Sequence, residues 1–565
     1  MRNGFQIGQK QIWFLGFTAV FAALAGFVFW GTWSLDFAFV APDAPMMHSP
    51  DWLSDWWRNW RSSGKFIPGE LLWNIGSPYL WKELSYVLAM YSSALALAYF
   101  LRGRGLSYLA SYGAGLFLGF CGYWCTLFSA GHGGWFFWMT YGLWPFGLLD
   151  RAIRKGKVMN WILAGATVGW AAYWQTDLWL LFMVLTGAYF ICRCVAERKF
   201  PWKGMLIAAV SMFAIGGAAF RSAIVGDLAG RDKQIEEGQT ISEKDKATVD
   251  ARERRWIFVT NWSLPPAESA EFFIPRLNGD TSCPMTLSLG ARYGTGVKPY
   301  TGALGRPKDA PAGNYRQHSL YVGFITCLLA LVGVVLGFVD AASSPRLKED
   351  DSTLVSDAAR RRVYDVVFFA VAAILCWLFS MGRYCEPVYR VIFSLPFGDY
   401  LRAPVKWHHL TEFCICVLAG YGIESLRGLE VWKVWKVGKF VPWILGAVVL
   451  IGAIDLARVD HLYCAPVDLR EAKRQNCNMQ MTFLRKADFN NPQVAAMVQA
   501  KKIVALAQPN PEMYLVGVLQ PWKTNTKPLP PISTTAWLNV LSMIGTLGLV
   551  GYGLKKAVGK RLTER

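Results

Sequence analysis

Charge is scarce in this sequence: only 17% of its 565 residues are Asp, Glu, Lys or Arg. Disorder needs the opposite balance, low hydrophobicity with high charge, and is excluded. Histidine is scarcer still, with six in the chain and no zinc-type ligand spacing among them. The 12 cysteines are too dilute over this length for a disulfide scaffold. Glycine is plentiful at 53 but follows no triplet period, which excludes a collagen-like chain. A glycine-rich phosphate loop and a nucleotide fingerprint are both missing, so an ATP-driven pump is not expected. No internal repeat with paired broken helices is visible, and such repeats are the usual mark of a transporter.

What fills the chain is apolar and aromatic: 53% of residues are hydrophobic and 27 are tryptophan. Apolar runs recur near the length of 20 residues needed to cross a hydrocarbon core. They predict an all-α polytopic membrane protein with about twelve transmembrane helices. The runs lie near 12–33, 83–101, 107–129, 134–150, 158–174, 178–194, 204–220, 320–340, 364–382, 408–426, 437–456 and 535–554. The first follows Arg2 and Lys10 and exceeds a cleavable signal core, so it reads as an uncleaved span.

Basic residues set the orientation. Every alternate connection carries them: Arg102 and Arg104; Arg151, Arg154, Lys155 and Lys157; Arg193, Arg198, Lys199 and Lys203; Arg360, Arg361 and Arg362; Lys433, Lys436 and Lys439; and the tail from Lys555. These loops and both termini are expected in the cytoplasm. The formal charge of +19 then follows from topology. It is spread over seven segments rather than gathered on one face, so nucleic acid is not an expected partner. Membrane lipids are.

Four sizeable segments face outward on this topology, 34–82, 221–319, 383–407 and 457–534, together with the short connections 130–133 and 175–177. In the first, Trp52, Trp56 and Trp60 recur every four residues and form one stripe of a short amphipathic helix suited to the headgroup layer. The chain divides into a transmembrane domain (1–456), a small extracytoplasmic α+β segment (457–534), and a last span with a basic tail (535–565). In the small segment 491–500 reads as a helix, and 502–508 and 513–519 as strands around Pro509-Asn510-Pro511. Cys464 with Cys477, and Cys283 with Cys385, are the pairs open to oxidation outside the cell. The remaining cysteines of the spans read as small apolar residues.

Five stretches, in order, resemble the YfhO-like family of bacterial membrane proteins, within the GT-C group of lipid-sugar-dependent glycosyltransferases. The first outer loop has an acid, then Gly64, Pro68, Trp73, Gly76 and Pro78. Gly131-His132 with Trp144-Pro145-Phe146-Gly147-Leu148-Leu149 is similar to the family's "GH…W-P-L-x-L-L". Trp262-Ser263-Leu264-Pro265-Pro266-Ala267-Glu268, with Pro275 and Gly279, resembles "S-L-P-P-x-E…P…G". Tyr300 and Gly302, then Tyr321-Val322-Gly323, resemble "Y-x-G…Y-x-G". Leu395-Pro396-Phe397, Leu401-Arg402-Ala403-Pro404 and Leu418-Ala419-Gly420-Tyr421-Gly422 resemble "L-P-x-F…F-R-x-P…L-A-G-x-G". The matches run from residue 40 to 425, and the last 140 residues fit loosely.

The resemblance implies a GT-C-like fold that transfers a sugar from a polyprenyl-phosphate carrier to an envelope glycan, glycolipid or protein acceptor. The acceptor hydroxyl must lose its proton, so a carboxylate serves as general base. The resemblance assigns it to the first outer loop: Asp43 by its spacing to Gly64, with Asp36 in reserve. Many relatives carry a second acid in the next outer loop. Here that loop offers His132 in place of the second carboxylate, a departure from the pattern that leaves a divalent metal open but without support in the sequence; the polyprenyl-phosphate-linked sugar is the donor substrate. His132 is instead suited to a phosphate or a sugar hydroxyl.

A lipid phosphate leaving group calls for cations at the outer headgroup level. Segment 383–409 supplies Arg383, Arg390, Arg402 and Lys406 against the inside bias for positive charge. Arg402 and Lys406 lead, because Pro404 fixes the turn between them. Glu268, Arg292 and Tyr300 in the long outer loop are suited to a sugar pocket. A non-enzymatic role, as a lipid or polysaccharide transporter or flippase or an envelope assembly factor, is the second class of function. The lack of mid-membrane ionisable residues favours the enzyme.

Overall fold

The computed structural model describes residues 8–33, 36–39, 52–63, 78–130, 132–174, 176–222, 250–279, 302–304, 318–343, 354–396, 398–429, 438–464, 466–510, 513–521 and 528–534, with a few isolated residues of the expected last span. Asp43, Arg292, Tyr300 and Cys283 lie outside them. Helices dominate. In chain order they are α1 (Gln9–Val28), α2 (Trp52–Ser63), α3 (Pro78–Gly103), α4 (Tyr108–Gly119), α5 (Gly122–Ala130), α6 (Gly133–Gly142), α7 (Trp144–Lys155), α8 (Val158–Ala171), α9 (Thr176–Ala196) and α10 (Trp202–Ser222). The short α11 (Ala251–Val259) precedes α12 (Phe324–Ser343), α13 (Leu354–Ser380), α14 (Glu386–Ser394), α15 (Trp407–Gly428) and α16 (Val441–Tyr463).

Among the described residues, five stretches are long and apolar enough to cross a membrane, in α1, α3, α9, α13 and α16. Their outward faces are apolar too: Trp443 is 79% exposed, and Val184, Ile191, Val371, Ile374, Ile451 and Ile454 lie open on the same helices. Apolar surface exposed along whole helices in this way is what a membrane or a partner covers, and burying each such side chain is worth up to about 1.5–3 kcal/mol. These helices point to a membrane protein.

Two expected spans are broken. The run 107–129 divides into α4 and α5, because the extended segment before α12 inserts at the break: the Gly122 amide donates to the Tyr321 carbonyl at 2.9 Å. A Cβ at Gly122 would come within 2.6 Å of that oxygen. The run 134–150 divides into α6 and α7, with Pro145 in the first turn of α7, where its missing N–H costs nothing. Apolar composition registers the run and not the break. Helix α16 also continues to Tyr463, past residue 457, where the outer segment was expected to begin.

The core is organised on α15, whose side chains are buried almost without interruption from Trp407 to Ser425. Small residues let its neighbours close in: a Cβ at Gly422 would strike the Leu329 carbonyl of α12, and one at Gly333 the Leu418 carbonyl. Such contacts are how helices pack where the hydrophobic effect between them is weak.

Near the far ends of α3, α7, α9 and α13 a polar layer is buried. Arg104 bridges Asp150 at 2.9 Å and Asp365 at 2.5 Å. Asp150 also takes Arg154 at 2.8 Å and Arg193 at 3.4 Å, and Arg193 reaches Glu197 at 2.6 Å. The hydroxyls of Tyr189 and Tyr421 donate to Asp365. Three guanidinium groups thus meet three carboxylates, so the layer is neutral as a whole.

Near the C-terminus, β3 (Cys477–Arg485), β4 (Ile503–Asn510) and β5 (Met513–Pro521) form an antiparallel sheet in the order β3-β5-β4, with α18 (Pro492–Gln499) between β3 and β4. The β4–β5 hairpin and the helix match the sequence reading; β3 was not foreseen. Two other strands, β1 (Phe37–Phe39) and β2 (Pro466–Asp468), pair antiparallel and tie the first outer loop to this segment, just ahead of α17 (Arg470–Arg474). The tryptophan helix forms as α2, which carries Trp52 and Trp56. Its Trp60, however, is buried at 6% exposure and stacked on Trp57, 4.8 Å between centroids, instead of lying toward the headgroups. Ties to the C-terminal segment, Arg58 to the Pro528 carbonyl and the Ser533 amide to the Arg61 carbonyl, hold it. Cys464 and Cys477 do not form a bridge, because Cys477 is a free thiol, and so is Cys385.

The ionic layer generates the first prediction. Asp365→Ala strands the Arg104 guanidinium and should cost about 3–5 kcal/mol, whereas Tyr421→Phe, which removes one bond to a charged group, should cost about 1.5–3 kcal/mol. Unfolding of the detergent-solubilised protein, followed by tryptophan fluorescence, measures both. Equal and small effects would show that the layer is not needed for the fold.

Candidate functional site

At the opposite end of the bundle, about 24 Å along α9 from Arg193, a second polar group is buried around Asp177. The turn that presents its cation is set locally. Ala403 takes the left-handed conformation (φ 63°), at a cost on the order of 1 kcal/mol, and Pro404–Lys406 follows as a 3-10 turn leading into α15. The Ala403 amide donates to the Val259 carbonyl and the Val405 amide to the Trp262 carbonyl, each at 3.1 Å. Gly382 makes room for this: a Cβ there would collide with the Ser263 hydroxyl and the ring of Pro404.

Lys406, only 5% exposed, forms an ion pair with Asp177, itself 3% exposed at the start of α9. The other Asp177 oxygen accepts the Leu178 amide at 2.9 Å, so the carboxylate is fixed by the helix that carries it. The Lys406 ammonium also lies 4.4 Å from the centroid of the Trp135 ring, an attractive cation–π position. His132 caps α6 and stacks on the same indole at 5.0 Å.

Behind this pair lies a fully buried wall. His409 stacks on Tyr123 at 4.0 Å and approaches Trp124 at 4.3 Å. His318 meets the other side of the wall, 4.4 Å from Tyr123 and 6.3 Å from Trp262. Glu412, one turn along α15, lies 3.6 Å from His408 and 3.8 Å from His409 and accepts the Tyr123 amide at 3.1 Å. Neither ring nitrogen of His409, nor the Tyr123 hydroxyl, nor Glu412 Oε2 has a hydrogen-bond partner within the protein. Each such buried group costs about 1–3 kcal/mol, so the cluster is no device for stability alone. No group of three His, Cys, Asp or Glu among the described residues is set to hold a metal ion.

The residues singled out from sequence divide between two tasks. Lys406 and His132 meet at this site. The other three basic residues of segment 383–409 brace the neighbouring loop. Arg383 donates from Nε and Nη2 to the Thr260 carbonyl at 3.1 and 2.9 Å, and burial holds its pKa below the ordinary value. Arg390 lies over Trp256 at 3.8 Å and pairs with Glu386 at 2.9 Å. Arg402, half-buried, lies over Phe258 at 4.8 Å. Glu268 is buried and accepts the Ala303 and Leu304 amides at 2.7 and 3.0 Å, so it anchors its own loop. Asp36, half-exposed, bridges to Lys473 of the C-terminal segment at 3.1 Å, and its carbonyl accepts the Leu469 amide.

Asp177 was missed. It stands in the short connection 175–177 that was expected to face outward, and an acid that opens a helix reads as a cap. One oxygen does cap the helix; the other serves a lysine 229 positions away. Tyr123, His318 and Glu412 gave no sequence signal beyond lying at or near span ends. No protein-family model matches the chain, and no curated protein matches it either.

The ion pair can be tested directly. Lys406→Met or Asp177→Leu alone leaves one buried charge and should cost about 3–5 kcal/mol, while the double substitution should recover most of that loss. A cycle of unfolding measurements on the four proteins reads the coupling. Additive losses would mean the two groups do not act together.

Proposed function

We propose that this chain is a membrane glycosyltransferase of the GT-C type, related to the YfhO-like proteins, that moves a sugar from a polyprenyl phosphate to an envelope acceptor. In this reading twelve spans cross a bacterial inner membrane, two of them as broken helices. The basic ends of α3, α7 and α9 face the cytoplasm and the Lys406–Asp177 site faces out. One observation carries the proposal: stretches far apart in sequence that resemble that family converge at this site. Trp262 and Ser263 meet Val405 and Arg383, and Val322 donates to the Phe272 carbonyl beside Glu271. His132 leads into α6 and shares the Trp135 ring with Lys406.

The roles follow from charge. Lys406, kept in position by Asp177, is the cation that meets the carrier phosphate as the sugar–phosphate bond breaks and negative charge gathers on the leaving oxygen. His132 and Trp135 offer a hydrogen-bonding group and an aromatic face to the sugar. Asp177 is already neutralised by its lysine and is a poor base. The general base is therefore assigned to the first outer loop, to Asp43, which lies outside the described residues. Asp36 is committed to Lys473 and drops to a structural role.

The test is the envelope glycan profile of cells deprived of the chain and complemented with variants. Asp43→Asn should lower the transferred glycan by about 10²–10⁴-fold, the usual contribution of a general base. Lys406→Met should abolish it, while Asp36→Asn should leave it within a few-fold of wild type. Normal glycans with both Asp43→Asn and Lys406→Met, at normal protein levels, would overturn the proposal.

A further inference from the structure

The end of the bundle away from Lys406 carries a cavity that the proposed reaction does not use. It has a volume of about 570 Å³ and is bounded by the start of α1, the C-terminal half of α3, the start of α4, and α7. Five cations line it (Lys10, Arg102, Arg151, Arg154 and Lys155), and the lining includes no acidic residue. The nearest carboxylate of the ionic layer, Asp150, is buried behind it and shared among Arg104, Arg154 and Arg193.

We infer that this cavity binds the phosphate headgroup of an anionic phospholipid from the adjoining leaflet. A bland alternative is that the cations merely complement helix C-termini and snorkel to the membrane surface. The two central arginines argue otherwise, because both are fixed around the cavity. Arg102 stacks over Tyr108 at 3.9 Å and donates to the Leu106 carbonyl. Arg151 donates from Nη1 to the Tyr99 hydroxyl at 2.8 Å, while its buried Nε has no partner within the protein. Lys155 is crowded by Arg151, Arg154 and Lys157, which lower its pKa. A concentration of like charge around one hollow is what an incoming anion relieves.

The walls select a lipid over a soluble anion. Phe14, Leu95, Tyr112 and Trp144 supply apolar and aromatic surface beside the cations, and Phe14 is 40% exposed on the outer side of α1. A headgroup among the arginines would therefore lie beside a surface for acyl chains. Basic hollows between membrane helices, ringed by aromatic side chains, are suited to phospholipid headgroups. The inference needs the membrane setting but not the transferase reading, so the two stand or fall separately.

The test uses the whole chain in detergent, titrated with phosphatidylglycerol, phosphatidylcholine or inorganic phosphate and followed by melting temperature and by native mass spectrometry. Phosphatidylglycerol should bind and raise the melting temperature; the other two should not. Arg151→Gln should weaken that binding by about tenfold, as expected for loss of a bond to a charged group. The double variant Lys10→Gln/Lys155→Gln alters two exposed side chains and should fold normally, so it keeps the test decisive if Arg151→Gln is unstable. It should weaken phosphatidylglycerol binding several-fold with no change in lipid-free melting temperature. Equal stabilisation by phosphatidylcholine, equal stabilisation by inorganic phosphate, or full phosphatidylglycerol affinity in the double variant would each overturn the inference.

Discussion

The structure depends on burying one helix, α15, that is apolar in its middle and polar at both ends. Desolvating a charge costs several kcal/mol unless a partner is in place, so each polar end dictates what must stand beside it. At the Tyr421 end the partners are Asp365, Arg104 and Asp150, drawn from three other elements. At the Lys406 end they are Asp177 and Trp135. Two neutralised layers, roughly the thickness of a hydrocarbon core apart, fix the register of the surrounding helices.

The two ends differ in a way that bears on function. The Asp365 layer is balanced in charge: three guanidinium groups meet three carboxylates, with two tyrosines in support, although Arg193 Nε and Nη1 have no hydrogen-bond partner. The Lys406 end is left incomplete, with His409, Tyr123 and Glu412 buried without full hydrogen bonding. It is also where the strained Ala403 turn lies and where the loop after α11 meets the segment that leads into α15. Backbone strain and unsatisfied polar groups at one end, against a charge-balanced ion network at the other, is the pattern expected when one end binds a ligand and the other holds the frame.

The helical character was legible in the sequence as apolar runs, and five of the twelve expected spans stand among the described residues as helices long and apolar enough to cross a membrane. The breaks at Gly122 and Pro145 were not legible, since an apolar run reads the same whether or not the chain bends within it. The β4–β5 hairpin followed from alternation around Pro509 and Pro511, whereas β1–β2 joins segments with more than 400 residues between them and has no local signal. The site was half legible. Positive charge on the side expected to face outward singled out Lys406, yet also Arg383, Arg390 and Arg402, whose partners include a carbonyl, a nearby carboxylate and aromatic rings that charge counting cannot foresee. Asp177 drew no notice because the oxygen that meets Lys406 acts only in three dimensions. Trp60 passed as a lipid anchor because a stripe on a helix does not say which side is covered.

The most direct test of the central claim is a structure of the chain in lipid nanodiscs with a short-chain polyprenyl phosphate bound. The account predicts the phosphate within hydrogen-bond distance of the Lys406 ammonium, beside His132 and Trp135. A phosphate seated elsewhere, with the Lys406–Asp177 pair closed and untouched, would contradict it.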